Sequence, residues 1–345
     1  MKKVLFKKIS GLPEQDTAVG FYRIVQPLRF LKREGICKES RMFPFTGDME
    51  TQRLTFNDRT LMAISKNAHA ILTTIIWRDD DFLRMLNLRK WSGAKWIVDI
   101  DDNLYGVSRD NQGYVNVGLV LPKLERTLRH ADGVSVSTPV LKKIYENLNP
   151  RVFVNSNGID FSLTDKHRVK RHKGIRIGWR GSGGHKDDLY IVEAVLRQIK
   201  MTYENVEIIV FGFDPKFNFD YEWHEFVGFF DYYEKLASLN LDIGIIPLVD
   251  SAYNRGKSNI AFLEYSTLGI PCVISPVENQ KGLPGIEANS NYEWYEALQI
   301  LVESTQKRKE LGEKAKKYVK KHYDMKKLIY PYANWIKELP LRNDY

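Results

Sequence analysis

The chain has 345 residues, too many for one small core and enough for two domains. With 43% hydrophobic and 28% charged residues it is globular, which excludes a disordered chain, and no apolar run reaches the length of a membrane span. The formal net charge of +9 favours anionic partners such as nucleotides, phospholipid headgroups or nucleic acid, without choosing among them.

The N-terminal MKKVLFKKIS returns to lysine where an export signal would stay apolar, so it reads as a first β-strand over 3–9. Further strands follow at 71–76, 96–100, 134–137 and 152–155, with helices between them, including 20–34 and 119–130. The second half repeats the alternation. Its strands fall at 175–179, 206–211, 242–246 and 271–274, and its helices at 187–200, 231–239, 258–268 and 292–304. Strands alternating with helices predict parallel sheets covered on both faces. The expected fold is therefore α/β, with two doubly wound, Rossmann-like domains facing across a cleft. Boundaries fall at 1–160 and 161–324, and a C-terminal helix over about 325–345 is expected to pack back on the first domain. Ligands of such sheets bind at the carboxyl ends of the strands, which places the expected site in the cleft.

Much of the charge sits in two stretches. KHRVKRHKGIR (166–176) reads as a basic linker, and KRKELGEKAKKYVKKHY (307–323) as a solvated helix face. Cys37 and Cys272 are far apart and follow no metal or redox spacing, in keeping with a cytoplasmic protein.

The chemistry concentrates in NRGKSNIAFLEYSTLGIPCVIS (254–275). Gly256 before a helix lets the backbone approach a ligand, and the first-turn N–H groups at Lys257, Ser258 and Asn259 form an anion site. Arg255 and Lys257 sit badly at the positive end of an empty helix but suit one that holds a diphosphate. Glu264 lies six residues beyond Ser258, about 9 Å along the axis at ~1.5 Å per residue. That matches the reach from a pyrophosphate to a ribose, whose two hydroxyls a carboxylate can accept. The alternative is a capped core helix with one paired Glu.

IRIGWRGSGGHKDDL (175–189) fits the same ligand. A strand ends at Trp179, and Arg180, Gly181, Ser182 and His185 form a small-residue loop that exposes backbone N–H groups beside a guanidinium. It is neither a dinucleotide fingerprint nor a P-loop. Ordinary turn chemistry explains the loop equally well, and His185 reads equally as a donor or acceptor contact or as a surface turn residue.

Together these stretches resemble the retaining, group 1-type glycosyltransferases of the GT-B fold. Further similarity lies in DIDDNLY (99–105), ADGVSVSTPVLKKIY (131–145) and VNSNGIDF (154–161), so the resemblance covers most of 95–280. It implies a hexosyltransferase-class enzyme whose second domain binds a nucleoside-diphosphate sugar. Glu264 would hold the ribose, while Arg180 and Lys257 would neutralise the leaving diphosphate. It also implies retention, with no dedicated base and generally no metal. Many members carry a second Glu eight positions before the ribose Glu; here that position is Gly256, so sugar recognition must differ, through Asn254 and backbone groups.

In VDIDDNLYG, Asp99, Asp101 and Asp102 are candidates for a strand-end acid cluster that contacts acceptor hydroxyls or Lys/Arg. Asp101 or Asp102 could assist the acceptor. A Mg²⁺ or Mn²⁺ site and simple helix capping by Asp102 are the other readings. Arg23, near the start of the first helix, is a candidate to reach a phosphate, and His130 is read as structural at a helix end. The acceptor is expected to be a glycan, a lipid-linked sugar or a protein, and a peripheral membrane contact is compatible with the charge. The alternatives are transfer to hydroxymethylated DNA bases, a sugar-nucleotide epimerase, and a non-catalytic nucleic-acid or glycan binder of the same fold.

Overall fold

The computed structural model describes residues 4–12, 17–42, 58–108, 114–170, 172–229 and 231–341. Residue 3 of the first expected strand and Arg171 of the basic linker lie outside these. The chain divides into two compact units, residues 1–158 with 325–345, and residues 159–324.

The first unit holds β1 (Phe6–Leu12), β2 (Cys37–Met42), β3 (Ala70–Thr73), β4 (Lys95–Ile100), β5 (Gly133–Val136) and β6 (Val152–Val154). They form one parallel sheet in the order β2-β1-β3-β4-β5-β6. Every residue of β3, β4 and β5 is buried, because helices cover both faces of the sheet. One core gathers around Trp96 and Leu128, the other around Leu28, Ile329 and Tyr332. The latter includes the helix Met325–Glu338, which approaches β5 so closely that a Cβ on Gly133 would lie 2.8 Å from the Trp335 ring. Buried Lys95 ends that helix, its Nζ donating to the carbonyls of Ile336 and Lys337 at 2.9 Å each.

The second unit holds β7 (Ile175–Gly181), β8 (Val206–Gly212), β9 (Glu222–His224), β10 (Ile243–Ile246), β11 (Cys272–Ile274) and β12 (Ile286–Glu287). Their order is β12-β11-β10-β7-β8-β9, again all parallel. The order reverses between β7 and β10, the topological switch point at which open α/β sheets bind ligands. The chain enters and leaves this unit side by side: Ile159 N–H donates to the Tyr323 carbonyl at 2.7 Å.

The expected strands are all present. Three others, β2, β9 and β12, were not expected, and each is an edge of its sheet. The expected helix 20–34 opens with a π-helical stretch, Gly20–Val25, before the α-helix Gln26–Arg33. The expected helix 187–200 is two, Lys186–Tyr190 and Glu193–Thr202. Among the described residues no helix is long and apolar enough to cross a membrane.

Candidate functional site

Near the carboxyl end of β7, Trp179 is buried and Arg180, the next residue, is half-buried. Gly181 pairs with Gly212 on β8, and its carbonyl accepts from Phe213 N–H at 2.8 Å. Gly212 has φ +112°, and a Cβ there would meet the Gly181 carbonyl oxygen at 2.3 Å, so only glycine fits. The loop that follows is closed by His185 N–H donating to the Ser182 carbonyl at 3.0 Å.

Arg180 and Glu264 meet directly. Nη2 of Arg180 lies 2.5 Å from Oε2 of Glu264, and the same oxygen accepts from the Tyr232 hydroxyl at 2.7 Å. Glu264 and Tyr232 are each 1% exposed, whereas the Arg180 side chain keeps 17% of its surface accessible. Burial raises the Tyr232 phenol well above its ordinary pKa, and adjacent Glu264 raises it further against the opposing pull of Arg180. Tyr232 is therefore a fixed donor.

A second cluster joins the loop after β7 to the segment after β10. Nδ1 of His185 is 2.8 Å from Oδ2 of Asp188. The other Asp188 oxygen accepts from Val249 N–H at 2.9 Å and from Asn254 Nδ2 at 2.6 Å. Asp188, itself 4% exposed, thus ties the loop after β7 to the segment after β10, across the switch point.

The segment 254–264 differs from its sequence reading. Residues 252–255 form a separate short helix, and the longer helix is Ile260–Thr267 rather than 258–268. Arg255 accordingly sits in the last turn of the short helix, where a cation is favourable, and pairs with Asp250 at 2.7 Å. It does not occupy the positive end of the long one. Lys257 Nζ stands 4.4 Å from the centre of the Tyr253 ring. Backbone carbonyls hold this turn in place: Lys257 O accepts from Asn279 and Ser258 O from Gln280. Asn259 precedes the long helix, but its Nδ2 donates to the Tyr323 hydroxyl at 2.9 Å instead of capping.

In the first unit, Arg23 does not reach for a phosphate. It is 1% exposed and forks onto Asp99, Nε to Oδ1 at 2.8 Å and Nη2 to Oδ2 at 2.9 Å. Its Nη1 donates to the Asn155 carbonyl and to Asn157 Oδ1. Burial works against the charged guanidinium, but Asp99, then Asp101, raises its pKa. Ser135 Oγ also donates to Asp99. Asp99 is thus a structural counter-ion, buried on β4, while Asp101 and Asp102 follow the strand in half-exposed positions. The Tyr145 hydroxyl fixes that loop by donating to the Asp102 carbonyl at 2.7 Å. Among the described residues no three His, Cys, Asp or Glu side chains converge as a metal site. His130 Nδ1 meets the Arg126 carbonyl at 2.8 Å within its own helix end.

The structure brings together Arg180 with Glu264, and His185 with Asn254. It leaves Lys257, Ser258 and Asn259 on the adjoining turn. Asp188 and Tyr232 escaped the sequence reading. The spacing of His185 and Asp188, three apart at a helix start, was a usable signal for the first; Tyr232 in a run of aromatics gave none.

No protein-family model matches the sequence, and no curated protein does. Solved structures match over most of the chain. An α-glucosyltransferase in complex with UDP and a 13-mer DNA containing a central A:G mismatch superposes with a TM-score of 0.68 at 11% identity, covering 96% of this chain and 100% of that one. S. aureus TarM, in complex with fondaparinux, α-GlcNAc-glycerol and UDP, gives 0.57 at 14% identity over 77% of this chain. This chain spans 55% of the TarM length. A candidate UDP-N-acetylglucosamine 2-epimerase from Listeria monocytogenes gives 0.57 at 12% identity, with 96% of both chains covered. At such identities the likeness is one of fold, and by that likeness the chain is a two-unit α/β protein of the GT-B fold.

Proposed function

We propose that this protein is a glycosyltransferase that moves a sugar from a nucleoside-diphosphate sugar to an acceptor hydroxyl. The observation that carries the reading is the Arg180–Glu264 pair at the switch point of the second sheet. It sits where such sheets bind ligands and combines a partly exposed guanidinium with a buried carboxylate.

The pair has a direct use in this reading. A diphosphate arriving at Arg180 competes with Glu264 for the guanidinium, and a ribose arriving at Glu264 competes with Arg180 for the carboxylate. Each ligand group releases the partner of the other, so binding exchanges one charge-assisted contact for two. Arg180 and Lys257 then face charge that grows on the departing diphosphate. The acceptor oxygen bonds to the anomeric carbon as the bond to the diphosphate oxygen breaks, and the acceptor proton passes to that leaving oxygen. Attack on the departing face retains configuration and requires no separate base. In this scheme no metal is needed, and Asp101 and Asp102 act on the acceptor side. The retaining outcome rests on the sequence resemblance.

A glycan, a lipid-linked sugar or a protein remains the acceptor class of this reading. A second reading, transfer to hydroxymethylated bases of DNA, is favoured by two observations. The formal charge is +9, and the DNA-bound α-glucosyltransferase matches over 96% of this chain and 100% of its own.

The test is a thermal-shift panel of nucleoside diphosphates and their sugars, followed by an acceptor screen that includes hydroxymethylated duplex DNA. A rise with one diphosphate, lost in Glu264→Gln, supports the donor site. Sugar transfer only with an acceptor present separates a transferase from an epimerase. If no nucleoside diphosphate shifts the wild type, the donor site is wrong and a non-catalytic binder becomes the better reading.

A further inference from the structure

The two basic stretches of the sequence meet in the second unit. The first follows the short helix Phe161–Thr164, and on it Lys166, Arg168 and Lys170 are exposed while His167 and Val169 are half-buried. The second is the helix Thr305–His322, which carries eight lysines and arginines against two glutamates. Leu311, Gly312, Ala315 and Val319 bury one side of that helix. Lys309, Lys316 and Lys320 follow one another at intervals of seven and four residues, which places them on a single face away from the buried one.

The two stretches join at Asp165. Lys320 Nζ lies 3.8 Å from its Oδ2 and 5.5 Å from the centre of the Phe161 ring. Arg168 Nη1 donates to the Asp165 carbonyl and to that of His167. Half-buried Lys316 feels the same groups. Burial lowers its pKa, Asp165 opposes this, and Arg168 and Lys320 lower it further. Three cations thus share the field of one carboxylate. Of the two glutamates on the helix, Glu310 pairs with Lys307 at 3.7 Å, and Glu313 is exposed beside the lysine stripe. Cations still outnumber carboxylates on this surface, and an anionic partner would relieve their mutual repulsion.

The surroundings narrow the choice of partner. Among the described residues neither stretch exposes a large apolar or aromatic side chain. A helix lying in a membrane interface sets Trp, Phe or Leu beside its cations. A protein interface needs apolar anchors at its centre. Single-stranded nucleic acid is held by stacking its bases on aromatic rings. A duplex keeps its bases inside and presents rows of phosphates, for which separated cations without apolar surface are sufficient.

We propose that Arg168, Lys309, Lys316 and Lys320 form a docking surface for the phosphate backbone of a nucleic-acid duplex, bound without regard to sequence. The surface uses no residue of the donor site, so it stands whether or not sugar is transferred.

The test is fluorescence anisotropy with unmodified duplex DNA and duplex RNA of mixed sequence, from about 50 to 200 mM salt, with no nucleotide sugar present. Wild type is expected to bind at least one of them, the tighter naming the source, with log affinity falling linearly against log salt. Arg168→Gln combined with Lys316→Gln and Lys320→Gln should weaken binding at least about tenfold and lower the salt slope by about two to three, since each lost phosphate contact removes ~0.9. A control that removes equally many exposed cations elsewhere, Lys143→Gln with Arg197→Gln and Lys216→Gln, should bind nearly as wild type. Melting curves report the fold of each variant. Lys309→Gln, at an exposed position, is the single variant that serves if the triple one does not fold, and should lower the slope by about one. A wild type that binds neither duplex overturns the proposal. So does a triple variant that binds unchanged, or a control that weakens equally, which would leave only the overall charge. Flotation with vesicles of phosphatidylglycerol and phosphatidylcholine is the competing measurement. Vesicle binding lost in the triple variant, with no duplex binding by the wild type, assigns the surface to a membrane and overturns the duplex.

Discussion

Arg180 and Glu264 are 84 residues apart in sequence, yet their charged atoms are 2.5 Å apart in the second unit, with Tyr232 bonded to the same carboxylate oxygen. One contact therefore serves as both a structural tie and the candidate donor site.

Removing the carboxylate should show both faces. Glu264→Ala leaves Arg180 without this counter-ion and Tyr232 without this acceptor, and is expected to cost on the order of 3 kcal/mol of stability. Glu264→Gln keeps an acceptor for Tyr232 and is expected to cost less. Both should abolish the thermal shift given by a nucleoside diphosphate. Urea denaturation beside a ligand thermal-shift series checks the two effects separately; retained binding in Glu264→Gln would remove this residue from the donor site.

Gly212→Ala is expected to be damaging despite its small size. The new Cβ would strike the Gly181 carbonyl, and φ +112° is strained for any other residue. A loss of about 1–3 kcal/mol is expected, with weaker nucleotide binding because the loop after β7 hangs on the Gly181–Phe213 bond. Chemical denaturation and a diphosphate titration measure it.

In the first unit, the Arg23–Asp99 fork predicts strong coupling. Arg23→Met alone leaves a buried carboxylate, and Asp99→Leu alone leaves a buried guanidinium, each at about 3–5 kcal/mol. The double variant should cost clearly less than the sum, read from a double-mutant cycle in urea. Additivity would show that the fork contributes nothing as a pair.

His69 sets a pH dependence. Burial, then the Lys95 ammonium 3.2 Å away, lowers its pKa below 6.5. Between that lowered value and 6.5 the unfolded chain binds a proton that the folded chain refuses. Stability is therefore full above 6.5, declines as pH falls through that window, and levels off below the folded value. His69→Gln should flatten the melting temperature measured between about pH 7 and pH 5. His167, depressed by burial and then by Lys166, retains a slope of the same sign. An unchanged profile in the variant would exclude His69 as a source.

The sequence by itself determined the parallel α/β character, because strands such as ILTTII and VEIIVF are apolar on both faces and only a doubly covered sheet buries both. It also marked the two stretches that follow the neighbouring strands at the switch point, although the structure gives one of their cations, Arg255, a purely structural place at the end of a short helix beside Asp250. It did not disclose the edge strands: Cys37–Met42, Glu222–His224 and Ile286–Glu287 lack the run of buried residues that marks a central strand. Nor did it tell which charges are spent inside the fold. Arg23 and Asp99 read as site residues because a charged side chain near a strand end is expected to meet solvent or ligand. Only the tertiary structure brings them together from 76 positions apart and buries them as a pair. The same packing joined His185, Asp188 and Asn254, whose relation depends on two strand ends being neighbours in the sheet, a distance that no local pattern encodes.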